Sequence, residues 1–241
     1  MYEPIEPVRL SEVVVERLQQ LVIGGQLKEG DRLPSEADLA RQFGVSRTAI
    51  REAIRSLVEQ GVVVVRQGSG TYVDRPDQRP LQRTLSWLAR TQGAEGDKYL
   101  VELRQLLEPG VCALAAVRAT EEDVAKMKEA AAEMKRAIKA ADSTEIIVDA
   151  DLRFHQLIGE ASQNPLVGAL LDSIADLLRM QRLHYSSVPG APERAQRYHD
   201  EIAKIVALHK PDEAYHAMQA HLRQVMHDVE GAQRVMEGGE L

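Results

Sequence analysis

Three histidines and one aspartate in the second half of the chain have the residue types and the helical placement of a metal centre. Asp151 and His155 are four residues apart, which sets them about 40° from each other around a helix, on the face that also carries Ile147, Phe154 and Ile158. His199 falls on the stripe Ala195, Ile202, Ala203 and Val206, and His221 on the stripe Ala214, Ala217, Met218 and Val225. All four are therefore expected to face the interior. His216 and His227 fall off the face of His221, and His184 and His209 sit near expected helix ends, so inward placement is not a by-product of abundant histidine. Neutral imidazoles with a carboxylate suit zinc, nickel or manganese, and helical bundles assemble such sites from facing helices. The competing reading is a polar cluster in which each histidine hydrogen-bonds a carbonyl or carboxylate; spacing alone does not separate the two. Cys112 is the single cysteine, which excludes an intramolecular disulfide and a cysteine-based zinc finger.

A second set of residues could read DNA. The window 41–70 holds Arg41, Arg47, Arg51, Arg55 and Arg66 against Glu52 and Glu59, a basic patch in a chain whose formal charge is -7. The elements around it follow in order. Val14, Leu18, Leu21 and Val22 mark a helix stopped by Gly24-Gly25. Ser35 is placed to cap a second helix, with Asp38 completing a capping-box-like pair, and Gly44 ends it. Ser46 caps a third, with the buried stripe Ile50, Ile54, Leu57 and Val58, ending at Gly61. Val62 to Val65 and Thr71 to Val73 read as strands around the turn Gln67-Gly68-Ser69-Gly70. Helix, turn, helix and hairpin in that order make a winged helix-turn-helix.

On the third helix Thr48, Arg51 and Arg55 share the face that the apolar stripe leaves free, with Ser46 and Arg47 in the first turn. Such a helix enters the major groove by its N-terminal end, where arginine binds guanine O6 and N7 in a fork, so Arg47 and Arg51 are the expected base readers. Ser35, Ser46 and Thr48 suit phosphate contacts, Arg55 extends the same face, and the wing tip Gln67, Gly68, Ser69 and Gly70 can approach the backbone or minor groove. An ordinary solvated helix face beside a generic hairpin is the bland alternative.

The chain has 241 residues, 44% of them hydrophobic, with no run of the roughly 18 apolar residues a membrane helix needs. Its first residues, MYEPIEPVRL, lack the basic segment and apolar run of a secretory signal, and a cytoplasmic location is expected. All seven histidines lie beyond residue 150, and the valine-rich strand-like runs lie before residue 75. Residues 1–75 carry 10 Lys/Arg against 11 Asp/Glu, and the remainder 20 against 26. The segment Arg75 to Pro80 has two prolines and no apolar residue, so the organisation expected is a DNA-binding unit over 1–75, a linker over 76–80 and a second unit over 81–241. That second unit has helical periodicity broken near 93–97, 118–121, 141–144, 162–165, 186–192 and 209–212, which makes six or seven helices. The fold class is thus mainly α: an N-terminal winged helix-turn-helix and a C-terminal all-α antiparallel bundle. Arg104 shares a stripe with Leu100, Leu107 and Val111, an unusual place for a permanent charge; Glu108, one turn on, is positioned to neutralise it.

Residues 33–73, LPSEADLARQFGVSRTAIREAIRSLVEQGVVVVRQGSGTYV, resemble the signature of the GntR family of bacterial transcription regulators. The resemblance implies that Arg47 and Arg51 contact operator bases, with Ser46, Thr48 and the wing tip on the DNA nearby. Ala37 departs from the pattern, since many members have an arginine there. The run from Glu102 to Gly110, Asp151-Leu-Arg-Phe-His155, Asn164-Pro165, His199 and His221-Leu-Arg resemble the FCD effector domain of the FadR-like subfamily, in its metal-binding branch. This implies one divalent ion per subunit on Asp151, His155, His199 and His221, with zinc first and nickel or manganese as alternatives. A small carboxylate, hydroxy acid or sugar acid would complete the coordination, clamped by Arg104, with Arg153, Asn164, Tyr185 and Tyr198 around it. The long-chain acyl-CoA branch lacks the full ligand set, so its effector is not implied.

The function expected is therefore an effector-responsive repressor that binds double-stranded operator DNA. A homodimer is expected because one recognition helix offers few base contacts, whereas paired half-sites read a pseudo-palindrome. Two other classes fit the same residues: a metal-dependent enzyme fused to a DNA-binding head, which would need an additional general acid or base near the metal, and a direct metal sensor.

Overall fold

The structure, a computed structural model, describes residues 9–74, 79–185 and 188–238. The chain divides into two compact units, Met1–Asp77 and Gln78–Leu241.

In the first unit α1 (Leu10–Ile23), α2 (Glu36–Phe43) and α3 (Arg47–Glu59) precede the hairpin of β1 (Val63–Arg66) and β2 (Gly70–Val73). The helix starts are set locally. Ser35 Oγ accepts from the Asp38 amide and Ser46 Oγ from the Ala49 amide, at 3.2 and 3.1 Å; each satisfies one of the orphan N–H groups of a helix N-terminus. Gly44 ends α2 in the left-handed region, where a side chain would be strained. The strands pair antiparallel with Val63 opposite Val73 and Arg66 opposite Gly70. The segment before α2 also docks on this hairpin, with Leu33 donating its N–H to the Thr71 carbonyl at 2.8 Å. A core of Val14, Leu18, Leu39, Ile50, Ile54 and Leu57 holds α1, α2 and α3 together. Ala53 is buried and Val58 is exposed, contrary to the expected stripe. Counting from Ile50, the steps of three, four and seven that face the core are Ala53, Ile54 and Leu57, and Val58 lies one step past their edge.

The second unit comprises seven helices among the described residues: α4 (Arg79–Thr91), α5 (Ala94–Arg118), α6 (Glu121–Ala140), α7 (Thr144–Ala161), α8 (Pro165–Tyr185), α9 (Ala191–Ala207) and α10 (Pro211–Gly238). Of the expected linker, residues 76–78 lie outside the described residues, while Arg79 and Pro80 form the start of α4. Helix rather than linker at Pro80 has a simple reason: the first turn of a helix has no partner for the N–H that proline lacks. Thr120 and Asp123 form a full capping box at the start of α6. Helix α5 packs along α10, α6 packs on α7 and α9, and α7 packs on α8. Phe154, Ile158, Ile174, Ile202, Met218 and Leu222 belong to the shared core. No helix among the described residues is long and apolar enough to cross a membrane.

Candidate functional site

Side chains from five helices of the second unit meet in its interior. Helix α7 supplies Asp151 and His155, α9 His199, α10 His221, α5 Arg104 and Glu108, and α8 Arg182; all seven are buried, with Arg104 and His199 fully enclosed. One ring nitrogen from each of His155, His199 and His221 lies within 4.8 Å of the other two. His155 Nε2 and His221 Nε2 are 3.3 Å apart. This is about the separation of adjacent corners of a tetrahedral site with metal–nitrogen bonds of roughly 2.0 Å.

The protonation states favour ligation. Burial pushes all three imidazoles down, His199 to about 3, so they are neutral near pH 7. Burial raises the Glu108 carboxyl, but Arg104 and then His155 outweigh it and hold the group well below the usual carboxylate range. Its Oε2 lies 2.8 Å from His155 Nδ1. Since the carboxylate can only accept, Nδ1 carries the proton and Nε2 keeps its lone pair toward the cluster. Arg104 Nη2 stands 3.2 Å from that lone pair. The Nδ1 and Nε2 atoms of His199 and the Nδ1 of His221 are buried without a hydrogen-bond partner. Unsatisfied buried polar atoms each cost about 1–3 kcal/mol, which a divalent ion bound through a ring lone pair would offset in part.

Arg104 makes the ion pair that its stripe demands: Nε and Nη2 donate to Glu108 at 2.6 and 3.3 Å. Asp151 is different from the expected ligand set. Its Oδ1 lies 3.4 Å from His199 Nε2 without hydrogen-bonding geometry, and its Oδ2 is paired with Arg182 Nε, so it does not join the histidine group. Burial raises the Asp151 carboxyl, and Arg182, helped by His199, His155 and Arg104, more than reverses this and keeps it ionised.

Among the other residues expected here, Tyr198 is near, its ring centred 5.5 Å from that of His221. Tyr185 lines a cavity of about 20 Å³ with Asp151 and Arg182. Arg153 is corrected: it points to the surface and pairs with Glu160 at 2.8 Å. It is two residues from both Asp151 and His155, hence about 200° round the helix from the inward face. Asn164 is used at the start of α8, where its Oδ1 accepts from the Leu166 amide. Two residues were missed. Arg182 follows Ile174 and Leu178 by steps of four on the buried face of α8, the same signal that exposed Arg104. Glu108 was read as a partner of Arg104 but also orients His155, a contact across 47 positions that no local pattern reports.

In the first unit Arg47, Thr48, Arg51 and Arg55 are exposed along α3, and Thr48, Arg51 and Arg55 line an open groove with Glu36, Val58 and Val65. Arg55 is partly engaged by Glu59 at 3.2 Å. Ser35 and Ser46 spend their acceptor oxygens on the caps, and Ser35 also donates to Asp38. The wing tip is exposed at Gln67, Gly68 and Ser69, with Ser69 Oγ 2.6 Å from the Tyr72 hydroxyl. Arg66 lies 4.7 Å over the Tyr72 ring. Gly70 has φ +127, a backbone conformation in which a side chain would be strained, so the wing tip favours glycine there.

Residues 10–73 match the model of the bacterial regulatory proteins of the gntR family, and residues 99–224 match the FCD domain. The regulator LutR of Bacillus subtilis is 36% identical over 210 residues, covering 85% of this chain and 94% of its own length. The chain belongs to the gntR family. The transcriptional repressor NanR of Salmonella newport is 28% identical over 232 residues, covering 92% of this chain and 86% of its own length. A solved GntR structure from Streptococcus agalactiae aligns with a TM-score of 0.69 at 27% identity, covering 90% of this chain and 99% of that one. This gntR-family chain is thus a transcription regulator with an FCD domain, and the enzyme reading of its histidines and aspartate is set aside.

Proposed function

We propose that this regulator is a cytoplasmic repressor whose N-terminal unit, residues 1–75, binds a pseudo-palindromic operator as a homodimer. Its bundle, residues 81–241, holds one divalent ion, zinc by preference and nickel or manganese as alternatives, together with a small carboxylate, hydroxy acid or sugar acid. The observation that carries the reading is the group of three neutral, buried imidazoles, with both ring nitrogens of His199 and the Nδ1 of His221 left without a hydrogen-bond partner. His155, His199 and His221 hold the ion, Asp151, paired with Arg182, is the carboxylate proposed as its further ligand, and Glu108 fixes the tautomer of His155 as a carboxylate behind a metal-bound histidine does. The ion supplies a positive centre that an acid's carboxylate can join. Arg104 and Tyr198 flank that centre; Arg153 and Asn164, as placed, do not serve it. The repressor sign is supported by the Salmonella relative, which is named a transcriptional repressor.

The recognition surface is Arg47, Thr48, Arg51 and Arg55 on α3, with Ser35, Ser46, Gln67, Gly68, Ser69 and Gly70 at the backbone. Arg51 is exposed and free of an ion pair among the described contacts, so its fork is available for a guanine edge. Arg51→Ala is expected to cost about 1–3 kcal/mol of operator binding while leaving non-specific binding nearly intact. Fluorescence anisotropy on an operator selected from a random duplex pool measures this; equal affinities for both proteins would remove Arg51 from the base readers.

Effector binding is tested by thermal melting of the zinc-loaded and the chelator-treated protein across a panel of small organic and sugar acids. A ligand selective for the folded state raises the apparent stability by mass action. A rise for one or two acids, present with metal and lost without it, is the expected result. A large response to metal and none to any acid would turn the reading toward a direct metal sensor.

A further inference from the structure

The charges buried around the three histidines balance: Arg104 and Arg182 against Glu108 and Asp151, with neutral imidazoles between. The two ion pairs are not equivalent. Arg104 holds Glu108 through two nitrogens, and Glu108 also accepts from His155. Arg182 meets Asp151 through Nε alone, as an ion pair without a hydrogen bond, and its Nη1, like that of Arg104, is buried with no hydrogen-bond partner. The guanidinium borders the cavity of about 20 Å³ beside Asp151 and Tyr185. Asp151 Oδ1 is meanwhile 3.4 Å from His199 Nε2, at the edge of the histidine group. One carboxylate therefore has two claimants, a guanidinium already in place and any cation seated among the histidines.

We propose that Arg182 is a placeholder cation. In the metal-free protein it neutralises Asp151; a divalent ion on His155, His199 and His221 takes that carboxylate and releases the guanidinium. The inference rests on the metal reading above. The physical reason for the exchange is charge: an ionised carboxylate buried without a partner is strongly unfavourable, so the site needs a cation there in both states. Arginine fits the metal-free role because it stays protonated and is weakly hydrated. After the exchange the interior carries two more positive charges and a guanidinium fork without its carboxylate. The group that answers both is an anion with paired oxygens, such as a carboxylate. Metal and acid then bind with positive coupling, because the first ligand exposes an anchor for the second.

The test is the zinc affinity of the full chain, read by competition with a chromogenic chelator at about pH 8, where Asp151 and the histidines are deprotonated. Arg182→Gln removes the competitor and is expected to bind zinc about tenfold or more tightly than the wild type. Arg182→Lys keeps a cation at Asp151 and is expected to stay close to the wild-type value. A wild-type protein that binds neither zinc, nickel nor manganese overturns the metal reading, and this inference with it. Wild-type zinc binding with an Arg182→Gln affinity equal to or weaker than wild type overturns the placeholder role alone. Should the glutamine variant fail to fold, the wild type decides: its arginine Nε–H resonance, assigned by its absence from Arg182→Lys, is expected to shift on zinc loading. An unmoved resonance in zinc-loaded protein would refute the exchange.

Discussion

Glu108→Ala is expected to destabilise the C-terminal bundle by about 3–5 kcal/mol, because removing one partner of a buried ion pair leaves the other charge uncompensated. Arg104 is fully enclosed, and both of its hydrogen bonds to carboxylate go to Glu108. In a bundle of this size the loss corresponds to a fall in melting temperature of roughly 10 °C, measurable by circular dichroism. The same substitution removes the acceptor that fixes His155 Nδ1–H, and loss of such a supporting carboxylate typically lowers metal affinity by about 10- to 100-fold. A double variant, Arg104→Met with Glu108→Leu, separates the two effects. Apolar replacement of both partners is expected to recover most of the stability, while the metal affinity stays low because His155 is still unsupported. A Glu108→Ala protein that melts with the wild type would mean that Arg104 finds another partner and that the pair does not organise the site.

How much of this was legible beforehand depends on whether the signal is local. The caps at Ser35 and Ser46 follow from a side-chain oxygen reaching an amide three residues on, and the inward placement of Asp151, His155, His199 and His221 follows from helical periodicity. The same rule excluded His216 and His227, which are exposed. Periodicity says that Arg104 is buried and even that Glu108 can reach it, since both lie on one helix. It is silent on which helices meet. The contacts of Glu108 with His155, and of Arg182 with Asp151, join different helices. For that reason Asp151 was expected as a free ligand, whereas it is held by a guanidinium that no spacing pattern links to it. Arg153 shows the opposite failure: it was expected around the pocket, although its place two residues from both Asp151 and His155 puts it on the outer face of the helix, where it pairs with Glu160. At Pro80 the composition of a linker and the first turn of a helix look alike, because both tolerate proline.

Stripping metal from the loaded protein is expected to lower its stability by about 4 kcal/mol at a free zinc concentration a thousand times the dissociation constant, on the order of 10 °C in melting temperature. The direction follows from the site itself. Without an ion, the ring nitrogens of His199 and the Nδ1 of His221 are buried without hydrogen-bond partners. The loss should be confined to the C-terminal unit, since the N-terminal unit contains no histidine and has its own core. His199→Ala should behave as permanently stripped: its melting temperature is expected to ignore both added zinc and chelator. A chelator that leaves the wild-type melting curve in place would mean that the three histidines form a satisfied polar cluster.

The most direct measurement is the metal count itself. The full chain is loaded separately with zinc, nickel and manganese, dialysed, and analysed by plasma emission beside His155→Ala, His199→Ala and His221→Ala proteins whose helical content has been checked. One ion per wild-type chain for at least one metal, and a count near zero in all three variants with DNA binding retained, is the result the three-histidine centre predicts. A wild type that keeps none of the three metals, or variants that keep as much metal as the wild type, would contradict it.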